Sequence, residues 1–154
     1  MDPRKTLLVV YHSQSGNTEK LSEAVEQGAL LVPGVRVQRL RAADTDVQHL
    51  RGCCALVICS PEYFGYMAGA VKDLFDRTYE AVREEVSGKS LCVIISAGND
   101  GTGALNSIMR IAAGYRFKTV QEPILCRGPV SEADLCACRT LGQTLAAGID
   151  LGIY

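Results

Sequence analysis

In His12-Ser13-Gln14-Ser15-Gly16-Asn17-Thr18, three hydroxyls (Ser13, Ser15 and Thr18) fall between an apolar run and a helical pattern. Hydroxyls donate to oxygen, and Gly16 lets the backbone turn without a Cβ penalty. The first N–H groups of the following helix and its positive dipole end point at the same place. No Lys or Arg lies inside the segment, so Ser13, Gln14, Ser15, Gly16, Asn17 and Thr18 suit a phosphomonoester held by neutral donors. The same residues would also serve as a well-capped turn from strand to helix.

A second segment, Ser60-Pro61-Glu62-Tyr63-Phe64-Gly65-Tyr66-Met67, crowds Tyr63, Phe64 and Tyr66 beside Pro61 and Gly65. Rings at such a density can hold a flat heteroaromatic ligand, or pack on the next helix or on another subunit. The third, Ser96-Ala97-Gly98-Asn99-Asp100-Gly101-Thr102-Gly103, has three glycines. These would let Ala97, Gly98, Asn99, Asp100 and Gly101 bring backbone polar groups close to a planar ligand. A phosphorylated planar heterocycle satisfies all three segments.

Other chemical signals dissolve on inspection. Gly88-Lys89-Ser90 imitates the end of a nucleotide P-loop, but Arg83 stands where the leading glycine belongs, and a strand follows instead of a helix. The seven cysteines are odd in number, and Cys53-Cys54 has the wrong spacing for a metal knuckle. Cys136 and Cys138 sit two residues apart on a helical pattern, a rotation of ~200° that separates them. Structural thiols are the expected role, and no metal site is expected.

The elements that must position these segments alternate along the chain. Apolar runs at Leu7–Tyr11, Ala55–Cys59 and Leu91–Ile95 read as strands covered on both faces. Val35–Leu40 alternates like an edge strand, and a vaguer fifth strand lies near Thr119-Val120 and Ile124–Cys126. Helical faces are drawn by Leu21, Ala24, Val25 and Gly28, with Pro33-Gly34 as the stop; by Val71, Leu74, Phe75, Tyr79 and Val82; and by Leu105, Ile108, Met109 and Ala112. Ser131 and Asp134 cap a last helix marked by Leu135, Cys138, Leu141, Leu145 and Ile149, and Asp46 to Arg51 adds a short one. This alternation predicts an α/β, doubly wound parallel sheet, with ligands beyond the carboxyl ends of its strands.

At 154 residues the chain fits a single domain, 1–154. A net charge of −1 argues against nucleic acid as a partner. No apolar run reaches the ~18 residues of a membrane helix, and the start lacks a signal peptide's long apolar region. A cytoplasmic protein is the expectation.

Ser13-Gln14-Ser15-Gly16-Asn17-Thr18 after an apolar strand resembles the flavodoxin phosphate loop, [ST]-x-[ST]-G-x-T. Ser60 to Met67, continuing through Lys72-Asp73-Leu74-Phe75-Asp76-Arg77, resembles the isoalloxazine loop and helix of flavodoxin-like NAD(P)H-dependent FMN and quinone reductases. The resemblance covers nearly the whole chain. It implies a flavodoxin-like sheet of five strands in the order 2-1-3-4-5, for which flavodoxin is itself the reference case.

It also implies bound FMN, with the phosphate on Ser13 to Thr18 and the ring between Pro61 to Tyr66 and Ala97 to Gly101. NAD(P)H would give hydride to the flavin, and a quinone or similar acceptor would take the electrons in a ping-pong cycle, with no side chain obliged to act as acid or base. The alternative is a flavodoxin, a non-enzymatic carrier serving a redox partner protein. Such carriers are typically strongly acidic, and this chain is not. The resemblance allows a homodimer. In flavodoxins a peptide in the second segment flips to a positive φ; bulky Tyr63 and Phe64 are expected to resist that.

A phospho-receiver would need an acidic pair near strand one and an aspartate ending strand three; the chain has Tyr11-His12-Ser13 and Ser60-Pro61. A Cys-x5-Arg phosphatase would need a cysteine after strand one, where there is none.

Overall fold

The computed structural model describes residues 2–154. In chain order the elements are β1 (Lys5–Tyr11), α1 (Asn17–Ala29), β2 (Val35–Arg41), α2 (Val47–Gly52), β3 (Ala55–Tyr63), β4 (Tyr66–Met67) and α3 (Gly69–Val82). They continue as β5 (Ser90–Ala97), α4 (Thr102–Tyr115), β6 (Lys118–Thr119), β7 (Ile124–Arg127) and α5 (Glu132–Asp150). The parallel sheet runs β2-β1-β3-β5, with β6 and β7 both on the outer edge of β5. This is the expected order, with the fifth strand in two pieces. The ladder lapses between Leu91↔Thr119 and Ile94↔Ile124, where residues 120–123 bulge away. Pro123 in that bulge has no N–H to give a ladder.

Alternation along the strands divides the core into two layers. Leu8, Val10, Leu56, Ile58, Leu91, Val93 and Ile95 face α3 and α4. Leu7, Val9, Val57, Cys59, Cys92 and Ile94 face α1 and α5. Ile58 and Ile94 have no solvent exposure, and truncating either to Ala would cost about 2–5 kcal/mol. On the second face α1 and α5 pack almost backbone to backbone. A methyl group on Gly28 would overlap the Arg139 carbonyl, and one on Gly142 the Val25 carbonyl.

The capping pair at Ser131 and Asp134 forms in full. Ser131 Oγ accepts from Asp134 N–H at 3.1 Å, and the Asp134 carboxylate accepts from Ser131 N–H at 2.9 Å. Helix α1 ends at Ala29, four residues before Pro33. Its last carbonyls are taken by Leu30 and Leu31 N–H, which close the chain into a turn before Pro33-Gly34.

Candidate functional site

Loops from the carboxyl ends of β1, β3, β5 and β7 enclose a cleft of about 220 Å³. The loop after β1 contributes Ser13, Gln14, Ser15, Asn17 and Thr18. It turns because Gly16, at φ 98°, occupies the left-handed region as the N-cap of α1, while its N–H donates to Ser13 Oγ at 3.0 Å. No side chain caps α1, so its first N–H groups face the cleft without an internal acceptor. Thr18 is buried at the wall. Among the lining residues there is neither Lys nor Arg. An uncapped helix start ringed by hydroxyls fits a phosphate.

His12 sits beside this wall, its ring edge-on to Tyr63 with centroids 6.0 Å apart. Burial, assisted by the Arg41 charge, holds the imidazole below its ordinary value and so favours the neutral form. Burial pushes the Tyr63 phenol upward, away from ionisation.

The second segment differs from the expectation. Strand β3 continues through Pro61, Glu62 and Tyr63, and β4 returns antiparallel with Glu62↔Met67 and Tyr63↔Tyr66. The turn is the two residues Phe64 and Gly65, at φ 53° and 69°. Two positive φ angles are what a two-residue hairpin loop requires to match strand twist, so the bulky side chain at Phe64 does not prevent the left-handed conformation. Phe64 is fully exposed and packs on no helix. Pro61, Glu62 and Tyr63 line the cleft; Gly65 and Tyr66 lie outside it with Phe64. Ser60 braces the hairpin from below, its hydroxyl donating to the Pro61 carbonyl at 2.8 Å and accepting from Ala68 N–H at 3.0 Å.

The third segment divides as well. Ala97 and Gly98 line the cleft, with Ser96 beneath them. Asn99 and Asp100 are exposed on the rim. The Asp100 carboxylate is committed to Thr102, accepting from its N–H at 3.0 Å and its hydroxyl at 2.9 Å. Gly101 is the N-cap of α4 at φ 78°. Gly103 is where the chain needs its missing side chain, since a methyl group there would overlap the Gly65 carbonyl. Gly101 serves the helix start, and Gly103 the packing of one loop on another.

Ser96 and Gly128 also line the cleft and were not anticipated. Gly128-Pro129 is a turn signal at the end of the fifth strand that would have pointed there.

All seven thiols are free. Cys136 is exposed and Cys138 buried, as their helical offset requires. Burial pushes Cys53 and Cys92 up to about 11, so both remain protonated and unreactive at neutral pH. Among the described residues no His, Cys, Asp and Glu cluster could hold a metal.

The NADPH-dependent FMN reductase family model matches residues 43–128, which span β3, the hairpin, α4 and the loop before it. The chain belongs to the NADPH-dependent FMN reductase family. The cofactor is therefore FMN. A flavodoxin from Aquifex aeolicus (strain VF5) is 27% identical over 156 residues, covering 91% of this chain and 84% of that protein. A solved flavodoxin from the domain Archaea superposes with a TM-score of 0.84 at 24% identity, covering 94% of this chain and 98% of that one. A WrbA-like flavodoxin structure from Agrobacterium tumefaciens gives 0.75 at 18%, covering 96% and 98%. The two structures establish the flavodoxin-like fold. Among the described residues no helix is long and apolar enough to cross a membrane.

Proposed function

We propose that this FMN oxidoreductase takes reducing equivalents from NAD(P)H and passes them to a small acceptor such as a quinone, within one domain of residues 1–154. The observation that carries the reading is the reductase family match across the hairpin and the α4 loop, the part of the chain that would face a flavin ring. In this reading the α1 N-terminus and the hydroxyls of Ser13, Ser15 and Thr18 hold the phosphate. Pro61, Glu62 and Tyr63 flank the ring on one side, and Ala97 and Gly98 on the other, with Phe64 to Tyr66 and Asn99 to Gly101 at the mouth. The chemistry that bound FMN supplies is acceptance of hydride from the nicotinamide and delivery of electrons to the acceptor. His12 beside the wall and Tyr63 in it favour their neutral forms, and neither Lys nor Arg lines the cleft, so phosphate binding there rests on neutral donors.

A second reading, an electron carrier, is favoured by the flavodoxin likeness over 91% of the chain. It also gains from the left-handed turn at Phe64-Gly65, because the geometry that bulky residues were expected to resist is already present. Anaerobic mixing of FMN-loaded protein with NADH or NADPH, followed at the flavin absorption band, separates the two. Bleaching without any partner protein supports the reductase. Flavin that stays oxidised with both nucleotides leaves the carrier.

A further inference from the structure

A second cavity, of about 580 Å³, begins one residue pair away from the cleft. The hairpin joins the two: Tyr63 lines the cleft, and Tyr66, its partner across the turn, lines the cavity. Directly paired residues of an antiparallel ladder stand only ~5 Å apart, so both spaces lie along one track. From Tyr66 the cavity runs between α3 and α4, past Lys72, Asn106, Ser107, Arg110 and Ile111. Asn106 and Arg110 are four residues apart, with Ser107 three before Arg110, so they share one stripe of α4. That stripe is tied to the hairpin, because Ser107 Oγ accepts from Met67 N–H at 3.1 Å.

The charges along the cavity decide what fits it. Lys72 and Arg110 line it, and no carboxylate does. The neighbouring cavities differ. Glu122 lines the one beside residues 119–123, Asp76 and Glu80 the one further along α3, and Glu19 the one beside Arg41. Lys72 Nζ is committed to Asp76, at 2.6 and 2.8 Å from its two oxygens. Arg110 is exposed and has no ion-pair partner among the described residues. A free guanidinium presents a planar fork that matches a phosphate. The exposed Asn106 amide offers a donor and an acceptor to hydroxyls. The Tyr66 ring, 43% exposed, offers a face to a flat base. Together these groups answer the chemistry of an adenosine phosphate.

On the reductase reading, from which this inference starts, the nicotinamide must reach the mouth of the cleft, so the other half of its dinucleotide lies outside. We propose that the adenosine half of NADPH occupies this cavity, with Tyr66 flanking it and Arg110 taking the 2′-phosphate. Arg110 then sets a preference for NADPH over NADH. The 2′-phosphate is the group that separates the two nucleotides, and an arginine is the side chain that accommodates it. With NADH, Arg110 stays in water and loses nothing, so NADH still binds and only the preference depends on this residue.

Two measurements on the FMN-loaded protein test this. Adenosine 2′,5′-bisphosphate carries the phosphate pattern without a nicotinamide, so calorimetry with it reads the cavity apart from any electron transfer. It is expected to bind the wild type at least ~10-fold more tightly than adenosine 5′-monophosphate, and Arg110→Gln is expected to erase that difference. In anaerobic mixing, flavin bleaching at limiting nucleotide is expected to be at least ~10-fold more efficient with NADPH than with NADH, with the ratio falling towards one in Arg110→Gln. Arg110→Lys, which keeps the charge and loses the fork, should retain part of the ratio. Arg110 projects from the surface, so far-UV circular dichroism of both variants should match the wild type. Equal affinity for the two adenosine phosphates overturns the inference. So does a bisphosphate affinity that Arg110→Gln leaves intact, and so does equal bleaching by NADPH and NADH. In each of these cases bleaching itself still upholds the reductase reading. Flavin that stays oxidised with both nucleotides overturns that reading, and the inference with it.

Discussion

The Glu62 carboxylate accepts a hydrogen bond from the backbone N–H of Ala104 at 2.9 Å, across 42 positions of sequence. Glu62 belongs to the hairpin strand and Ala104 to the first turn of α4, so one side chain clamps the second loop to the third. It also caps a helix whose N-cap, Gly101, has no side chain to do so. Replacing Glu62 with Ala is expected to destabilise the protein by about 1–2 kcal/mol in urea unfolding, as loss of a cap does, while Gln, which keeps an acceptor oxygen, recovers most of it. Equal stability of Glu62→Ala and the wild type would show that the clamp contributes nothing.

Thr18→Ala should weaken FMN binding by about 1–3 kcal/mol in calorimetry, through loss of a hydroxyl donor to a charged phosphate. Riboflavin, lacking the phosphate, should bind the wild type more weakly than FMN and be indifferent to the substitution. Equal affinity for riboflavin and FMN would remove the phosphate role from this loop.

Phe64→Gly should leave stability within about 1 kcal/mol of the wild type. The strain of a bulky residue in the left-handed region, about 1–3 kcal/mol, is relieved, while the freer unfolded chain takes some of that back. A buried Phe would instead cost about 3–5 kcal/mol on truncation. A loss of that size in denaturant unfolding would mean that Phe64 packs where the structure leaves it exposed. In the reductase reading the same variant should slow bleaching by nicotinamide, because an aromatic at the mouth of the cleft is gone.

Tyr115 gives a pH dependence whose sign is fixed. Its hydroxyl donates to the Phe75 carbonyl at 2.6 Å and lies 2.9 Å from Thr78 Oγ1. Burial, above all, pushes the phenol up to about 12. An unfolded tyrosine ionises near ~10, so between ~10 and ~12 the unfolded chain has lost a proton that the folded one keeps. This stabilisation is complete below ~10 and declines by ~1.4 kcal/mol per pH unit across that window. Urea unfolding from about pH 9 to 12 should show a steeper decline for the wild type than for Tyr115→Phe. Parallel slopes would refute it.

Much of the frame was legible because its signals are local. Leu7–Tyr11, Ala55–Cys59 and Leu91–Ile95 are apolar at every position, and a strand covered on both faces has no other way to be written. Ser131 and Asp134 lie three residues apart, so their reciprocal cap forms within one turn. The turn from β1 into α1 was legible for the same reason, since Gly16 and the hydroxyls around it feed straight into the helix. Asp46 and His49 form the same kind of box, with the imidazole Nδ1 accepting from Asp46 N–H at 3.1 Å, and went unrecognised because His is not the usual partner.

What the tertiary structure alone decided lies between segments far apart in the chain. The sign of φ at Phe64 follows from Tyr63 meeting Tyr66 across a two-residue turn, which outweighs a steric preference of about 1–2 kcal/mol. The need for glycine at position 103 comes from the Gly65 carbonyl lying against it, not from any ligand. The sequence by itself determined the layered sheet, its open edge and the glycine turn that leads from β1 into α1, because periodicity and capping act over a few residues. Which members of the other loops face the cleft was settled only when β3, β5 and α4 were brought together, because a side chain's neighbours across a sheet edge are set by register and packing and leave no mark on the spacing of any one segment.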